Sequence, residues 1–508
     1  MKKQNDDLEN RRSPLEMNGE QFRKSGYQLV DQIATFLDSL PRRPVTRGED
    51  PAEIRSLLNN SPVPEKGLPV EQLLQESADL LFEHSLFNGH PRFLGYITSS
   101  AAPIGALGDL LAAAVNPNVG GWALSPVASE IELQTIRWIA QLLGYPEDCG
   151  GILVSGGNMA NFVGFLAGRR SQLNWDVRTQ GLQKAQVPLT VYVSRETHTW
   201  IQKAADLFGL GTEAIRWIST DTQMRMDVEE LNRKIRVDRK QGFFPLMVVG
   251  AAGTVGTGAV DPLQDLAAIC EENNLWFHVD GAYGAPAALL PESSADLKAL
   301  ALADSVAVDP HKWLYAPLEA GCTLVKNPRH LIDAFSFHPE YYNFDPSQAD
   351  SAVNFYEFGM QNSRGFRALK VWLAIRQIGR QGYTKLIRED IALAEALFEE
   401  VNKHKELQAF TCNLSITTFR YIPPDLTLNG NNETETYLDT LNRELLNRLQ
   451  AGGETFISNA IIDDIFVLRA CVVNFRTTLS DIRAVPEIVI RVGKQVDAEL
   501  RKSNDTGN

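Results

Sequence analysis

The chain has 508 residues, 44% of them hydrophobic and 22% charged, the balance of a soluble globular protein with room for two or three packed units. Its formal net charge of -14 argues against nucleic acid or an anionic membrane as a partner, because an acidic surface repels both. No long continuous apolar run occurs, and no apolar core follows the first lysines. Neither a spanning helix nor a secretory leader is therefore expected, and the cytoplasm is the default location.

In chain order, residues 1–100 read as a helical arm. Asn18 can cap a helix whose apolar face runs Phe22, Leu29, Ile33, Phe36 and Leu40, with Pro41 and Pro44 beyond it. So thin an arm has too little core to fold alone, so its stripe is expected to pack on the rest of the chain or, preferably, on a second subunit. Over residues 101–370, β-branched runs alternate with helical ones: 189–194, 246–253, 275–280, 304–309 and 322–327. That alternation predicts an α/β fold, a mainly parallel sheet with helices on both faces, which binds ligands beyond the carboxyl ends of its strands. Residues 371–508 are expected to form a small C-terminal α/β domain, with strands at 407–419 and 464–475 flanking a helix near 434–450.

Cys149, Cys270, Cys322, Cys412 and Cys471 are scattered and odd in number, which suits reduced thiols. The histidines show no ligand spacing, so no metal is expected.

The chemistry lies in the strand ends. Lys312, in VDPHKWLYAP, and Asp280, in WFHVDGAYGAP, are the pair needed to hold pyridoxal 5'-phosphate. The lysine would carry the aldehyde carbon as a Schiff base, and the carboxylate would keep the ring nitrogen protonated. Gly156, Gly157 and Asn158 stand at a strand-to-helix turn whose N–H groups can receive a phosphate, although the turn matches no nucleotide motif. His198 opens a helix after a strand, where an imidazole can lie on one face of the ring. Ala282, two residues past Asp280, offers the small side chain wanted on the other face. Thr254 sits in a glycine-rich loop that lets the backbone approach closely.

The order HPRFLGY, SGGNMAN, Thr197-His198, HVDGAYGAP and VDPHKWL resembles the pyridoxal-phosphate-dependent group II amino-acid decarboxylases, which include those for aromatic L-amino acids, glutamate and diaminobutyrate. The similarity spans roughly residues 15 to 500. It implies a fold-type I, aspartate-aminotransferase-like architecture and a homodimer with active sites between subunits. By the same resemblance His198 stacks on the ring, Asp280 pairs with its nitrogen, Ala282 packs against it, and His311 neighbours the phosphate. Tyr341 matches the tyrosine that returns a proton to the α-carbon, and Arg364 matches an arginine near the substrate carboxylate. Tyr96, Ile97 and Ser99 correspond to a segment lining the substrate pocket, and Trp122 to a residue that reaches the partner's site.

Two departures stand out. Gly156 and Gly157 replace the serines of many aromatic-specific members, and Asp309 replaces their Asn, so that Asp309 must turn away from the phosphate or pair with a cation. Ile97 and Trp122 favour an aromatic L-amino acid as substrate over glutamate. Ile97, where aromatic-specific members have Phe, leaves aliphatic and diamine substrates such as 2,4-diaminobutyrate open, and an aldehyde synthase is a further alternative. An aminotransferase would share Lys312 and Asp280, but Tyr341 and the PHKW motif weigh against it. A non-catalytic binding protein would not need to retain lysine, aspartate and histidine together.

Overall fold

The computed structural model describes residues 9, 11, 13–58, 62–337, 352–428 and 432–506. The arm begins as its cap predicts. Asn18 Oδ1 accepts from the backbone of Glu20 and Gln21, and the Gln21 side chain accepts from Asn18 N, a reciprocal box that starts helix Gly19–Ser39. This helix lies along Val70–His84, with Phe36 stacked on Phe82 at 4.5 Å. Part of the apolar surface stays uncovered by the chain itself: Phe22 is 57% exposed and Leu81 63%.

The large sheet contains β1 (Gly150–Val154), β2 (Leu189–Ser194), β3 (Ile215–Ile218), β4 (Phe244–Ala251), β5 (Trp276–Asp280), β6 (Ser305–Val308) and β7 (Gly321–Val325). Its order is β1-β7-β6-β5-β4-β2-β3, and β7 alone runs antiparallel to its neighbours. Strand alternation assigns the two faces. On one, helix Gly157–Gln172 presents Gly164 to His278 and Gly168 to Met247 and Trp276, so closely that a Cβ would collide at 2.6–2.7 Å. On the other, Gly250 lies under Leu263 and Leu266 of helix Leu263–Asn273.

The C-terminal sheet is antiparallel, in the order β10-β11-β9-β8, from β8 (Leu407–Asn413), β9 (Ile416–Tyr421), β10 (Ser458–Ile462) and β11 (Ile465–Cys471). The single strand expected at 407–419 is therefore a hairpin, turned at Leu414 with φ +49° and carrying no Gly or Asn-Gly signal. Helix Asn432–Gly452 packs on this sheet, and the long helix Ala368–Asn402 joins the two sheets, interrupted at Gly379 with φ +63°. All five cysteines are free.

Candidate active site

A cavity of about 180 Å³ opens where the parallel strands end. Asp280 closes β5. Thr254 follows β4, Glu196 and His198 follow β2, Gly157 and Asn158 follow β1, and Asp309 and Lys312 follow β6. Residues remote in sequence meet here because every strand of the parallel set delivers its carboxyl end to the same edge. Ile97, Asn161, Ala282 and Tyr283 also line the cavity.

Asp280 is fixed from two sides: Trp200 Nε1 donates to Oδ2 at 2.7 Å, and Ala282 N donates to Oδ1 at 3.2 Å. Beneath it, His278 bridges Ser305 Oγ at 2.7 Å and Asn161 Oδ1 at 2.8 Å, and burial pushes its imidazole down to about 4. His198 Nδ1 accepts from Trp200 N at 3.3 Å. Withdrawal from water lowers the His198 imidazole below its usual range, Lys312 adds to the effect, and Asp280 opposes it.

The lysine turn is clamped by helix Ala368–Asn402. Asp390 accepts from Trp313 Nε1 at 2.8 Å and from Tyr315 OH, and Tyr383 OH donates to Leu314 O at 3.0 Å. Tyr283, beyond Asp280, stacks on Trp313 at 4.9 Å, which couples the two motifs directly. Ser99 does not line the cavity. Its Oγ donates to His311 O at 2.8 Å, which holds the turn from the other side.

At the glycine turn Gly156 has φ +102°, a conformation that disfavours any other residue, and no side chain caps the helix starting at Gly157. Its first-turn N–H groups are thus left for a ligand. His311 Cε1 comes within 3.5 Å of where a Gly156 Cβ would stand, and His311 Nδ1 faces Ala320 O at 2.7 Å. The two departures from the family pattern meet at this point. A Cβ on Gly157 would lie 2.6 Å from Asp309 Oδ2, so a serine there conflicts with this aspartate as it is placed. Of the two outcomes expected for Asp309, pairing is the one observed: Lys312 Nζ lies 3.1 Å from Oδ2.

Other expected residues fall elsewhere. Arg364 is a correction: its side chain is fully buried away from the cavity, ion-paired with Glu132 and donating to Val119 O at 2.8 Å and Leu153 O at 2.6 Å. Its charge is spent on an internal carboxylate, leaving none for a substrate. Tyr96 is likewise outside the lining, 55% exposed with φ +52°, and Trp122 bonds Glu130 Oε1 at 2.9 Å. Tyr341 lies outside the described residues. Arg469 was not anticipated. It is buried in β11 and donates through Nη1 to Tyr96 O at 3.1 Å and Ser458 Oγ at 2.9 Å, while Nε and Nη2 have no hydrogen-bond partner among the described residues. Periodicity gives only a strand there, and an arginine among apolar residues is the one signal that marks it.

The donor set fits pyridoxal phosphate: an amine, a fixed carboxylate and an uncapped helix start around one cavity. Residues 51–422 match the family model described as pyridoxal-dependent decarboxylase conserved domain. An aromatic-L-amino-acid decarboxylase of Bacillus atrophaeus is 35% identical, over 92% of this chain and 94% of its own. A phenylacetaldehyde synthase of Petunia hybrida is 29% identical, over 90% and 91%. The crystal structure of Oryza sativa TDC with PLP and tryptamine superposes with a TM-score of 0.87 at 26% identity, covering 96% of this chain and 99% of that one. The strand-end geometry and these likenesses lead to one conclusion: the chain belongs to the pyridoxal-dependent decarboxylase family and is a pyridoxal-phosphate-dependent amino-acid decarboxylase.

Proposed function

We propose that the chain converts an aromatic L-amino acid to its amine and carbon dioxide. The observation that favours a neutral side chain over that of glutamate is the charge of the cavity wall. Among the described residues lining it, Lys312 is the only lysine or arginine and serves the cofactor, whereas Glu196, Asp280 and Asp309 are acidic. A second carboxylate on the substrate would find no counter-ion and would be repelled. The Bacillus relative's activity toward aromatic L-amino acids points the same way. Glu196, an acidic group on the cavity wall, favours a diamine such as 2,4-diaminobutyrate as the second reading.

When bound, pyridoxal phosphate supplies an electron sink for the pair released as the carboxylate departs. Lys312 would hold its aldehyde carbon, Gly157 and Asn158 its phosphate, and His198 and Ala282 its two faces, with Thr254 and His311 adjoining. Asp280, held by Trp200 and Ala282, would keep a proton on the ring nitrogen through its negative charge. Arg469, buried and outside the cavity lining, donates to Tyr96 O next to Ile97 of the wall and would position that segment against the substrate. Tyr341 returns a proton to the α-carbon once carbon dioxide has left.

The working unit in this reading is a homodimer. Leu107, Leu110, Leu111 and Val115 of helix Pro103–Val115 are each more than half exposed, alongside Phe22 and Leu81 of the arm, an apolar surface that a second copy would cover. Trp122 would then reach the partner's site. Among the described residues no helix is long and apolar enough to cross a membrane.

The test is purified holoenzyme mixed with single amino acids, with carbon dioxide and amine both measured. Release of carbon dioxide from tyrosine, tryptophan or phenylalanine, and not from glutamate, is expected. Turnover of glutamate alone would overturn the reading, and turnover of 2,4-diaminobutyrate alone would select the second.

A further inference from the structure

The cavity's end at Gly157 combines features that suit an anion with one that opposes it. Helix Gly157–Gln172 starts there uncapped, so its first backbone N–H groups lack intrahelical acceptors. Against the same start lies the carboxylate of Asp309, 1% exposed. Its Oδ2 stands where even a Cβ on Gly157 would be too close, at 2.6 Å, and lies 3.1 Å from Lys312 Nζ and 3.8 Å from His311 Nε2. Its Oδ1 is buried with no hydrogen-bond partner among the described residues. One ammonium, that of Lys312, thus faces this carboxylate in a place where water contributes little screening.

We propose that Asp309 limits how tightly the chain holds its phosphorylated cofactor, by keeping a negative charge at the helix start that receives the phosphate. The proposal rests on the placement of the phosphate at Gly157 and Asn158. A phosphate ester adds between one and two negative charges near neutral pH. With Asp309 beside it, two anions share one set of N–H donors and one ammonium, so part of what the helix start contributes to binding is offset by repulsion. Asn at the same position would keep the shape and remove the repulsion. The consequence is a phosphate that contributes less to cofactor binding than the helix start alone would allow.

The full-length cofactor-free protein is titrated by calorimetry with pyridoxine 5'-phosphate and with pyridoxine. Neither ligand has an aldehyde to bond Lys312, so their difference reports the phosphate. Asp309→Asn is expected to bind pyridoxine 5'-phosphate on the order of tenfold more tightly than the wild type, with pyridoxine affinity unchanged. Asn158→Asp, which adds charge at the same helix start, is expected to weaken pyridoxine 5'-phosphate by a similar factor. If Asp309→Asn binds pyridoxine 5'-phosphate no better than the wild type while Asn158→Asp is impaired, the role of Asp309 is overturned and the phosphate site stands. If Asn158→Asp binds as the wild type does, the phosphate lies elsewhere and both ideas fall. Should Asp309→Asn fail to fold, Asp309→Ser removes the same charge and must show the same gain.

Discussion

Trp200 Nε1 donates a 2.7 Å hydrogen bond to Asp280 Oδ2, which ties the end of β5 to the helix that begins just after His198. The residue proposed to hold the ring nitrogen and the residue proposed to cover the ring are thereby positioned by one tryptophan, Asp280 through its indole and His198 through its backbone N–H. A hydrogen bond to a charged group contributes about 1.5–3 kcal/mol. Trp200→Phe should therefore weaken cofactor binding by roughly tenfold or more, and Asp280→Ala should lower kcat by at least about 100-fold. Cofactor titration and steady-state rates measure the two effects. Unchanged cofactor affinity in Trp200→Phe would show that the indole is not needed to hold Asp280.

Lys312→Ala should abolish turnover and the covalent bond to cofactor. The check is intact mass after borohydride reduction: the wild type should gain one cofactor and the variant none. A variant that still fixes cofactor at normal stoichiometry would move the linkage to another lysine.

Arg364 and Arg469 should behave differently. Arg364 neutralises Glu132 inside the protein, and breaking a buried pair typically costs about 3–5 kcal/mol. Arg364→Ala should lose stability of that order, seen in denaturant unfolding, with little change in KM in whatever protein remains folded. Arg469→Lys keeps the charge but not the fork, and KM should rise about tenfold or more. A raised KM in Arg364→Ala with normal stability would reverse the two assignments.

Asp390, beneath the lysine turn, has its carboxyl pushed up to about 7 from 3.8, mainly by burial and against hydrogen bonds from Tyr315 and Trp313. Between those values the folded chain keeps a proton that the unfolded chain has released. Stability from this group is therefore full below pH 4 and is lost as pH rises through 7. Asp390→Asn cannot lose that proton. The melting temperature of the wild type relative to Asp390→Asn should fall from about pH 4 to about pH 7 and then level off. A difference that stays constant over that range would remove Asp390 from the pH response.

Tyr341→Phe should divert product. If the α-carbon is not reprotonated, dioxygen and water can convert it to aldehyde, ammonia and hydrogen peroxide, the outcome suggested by the phenylacetaldehyde synthase among the relatives. Amine yield should fall while aldehyde and peroxide rise in equal amounts. An unchanged amine yield would exclude Tyr341 from the protonation.

How much could be read from the sequence differed by region. Most strands of the large sheet were legible because residues such as Val248 and Val306 form short β-branched runs bounded by turns, and strands buried on both faces must be apolar throughout, whereas β3, with Arg216 and Trp217 only half-buried, was not expected. The hairpin at Leu414 was not, because a left-handed leucine carries no turn signature and its cost is met by packing. Asp280 and Lys312 were legible because Asp280 closes β5 and Lys312 stands in the turn that follows β6. Arg364 was misassigned because the motif gave it a neighbourhood, whereas its partner Glu132 comes from a helix more than 200 residues away in sequence.

By itself the sequence determined the α/β alternation and which chemical groups stand at the strand ends, since both follow from local periodicity and residue type. Only the tertiary structure decided how those groups are paired: Asp280 with Trp200, Lys312 with Asp309, Arg364 with Glu132, and Gly157 made necessary by Asp309. Electrostatic pairing and steric exclusion depend on distance in space, and a one-dimensional pattern does not contain it until the chain has folded.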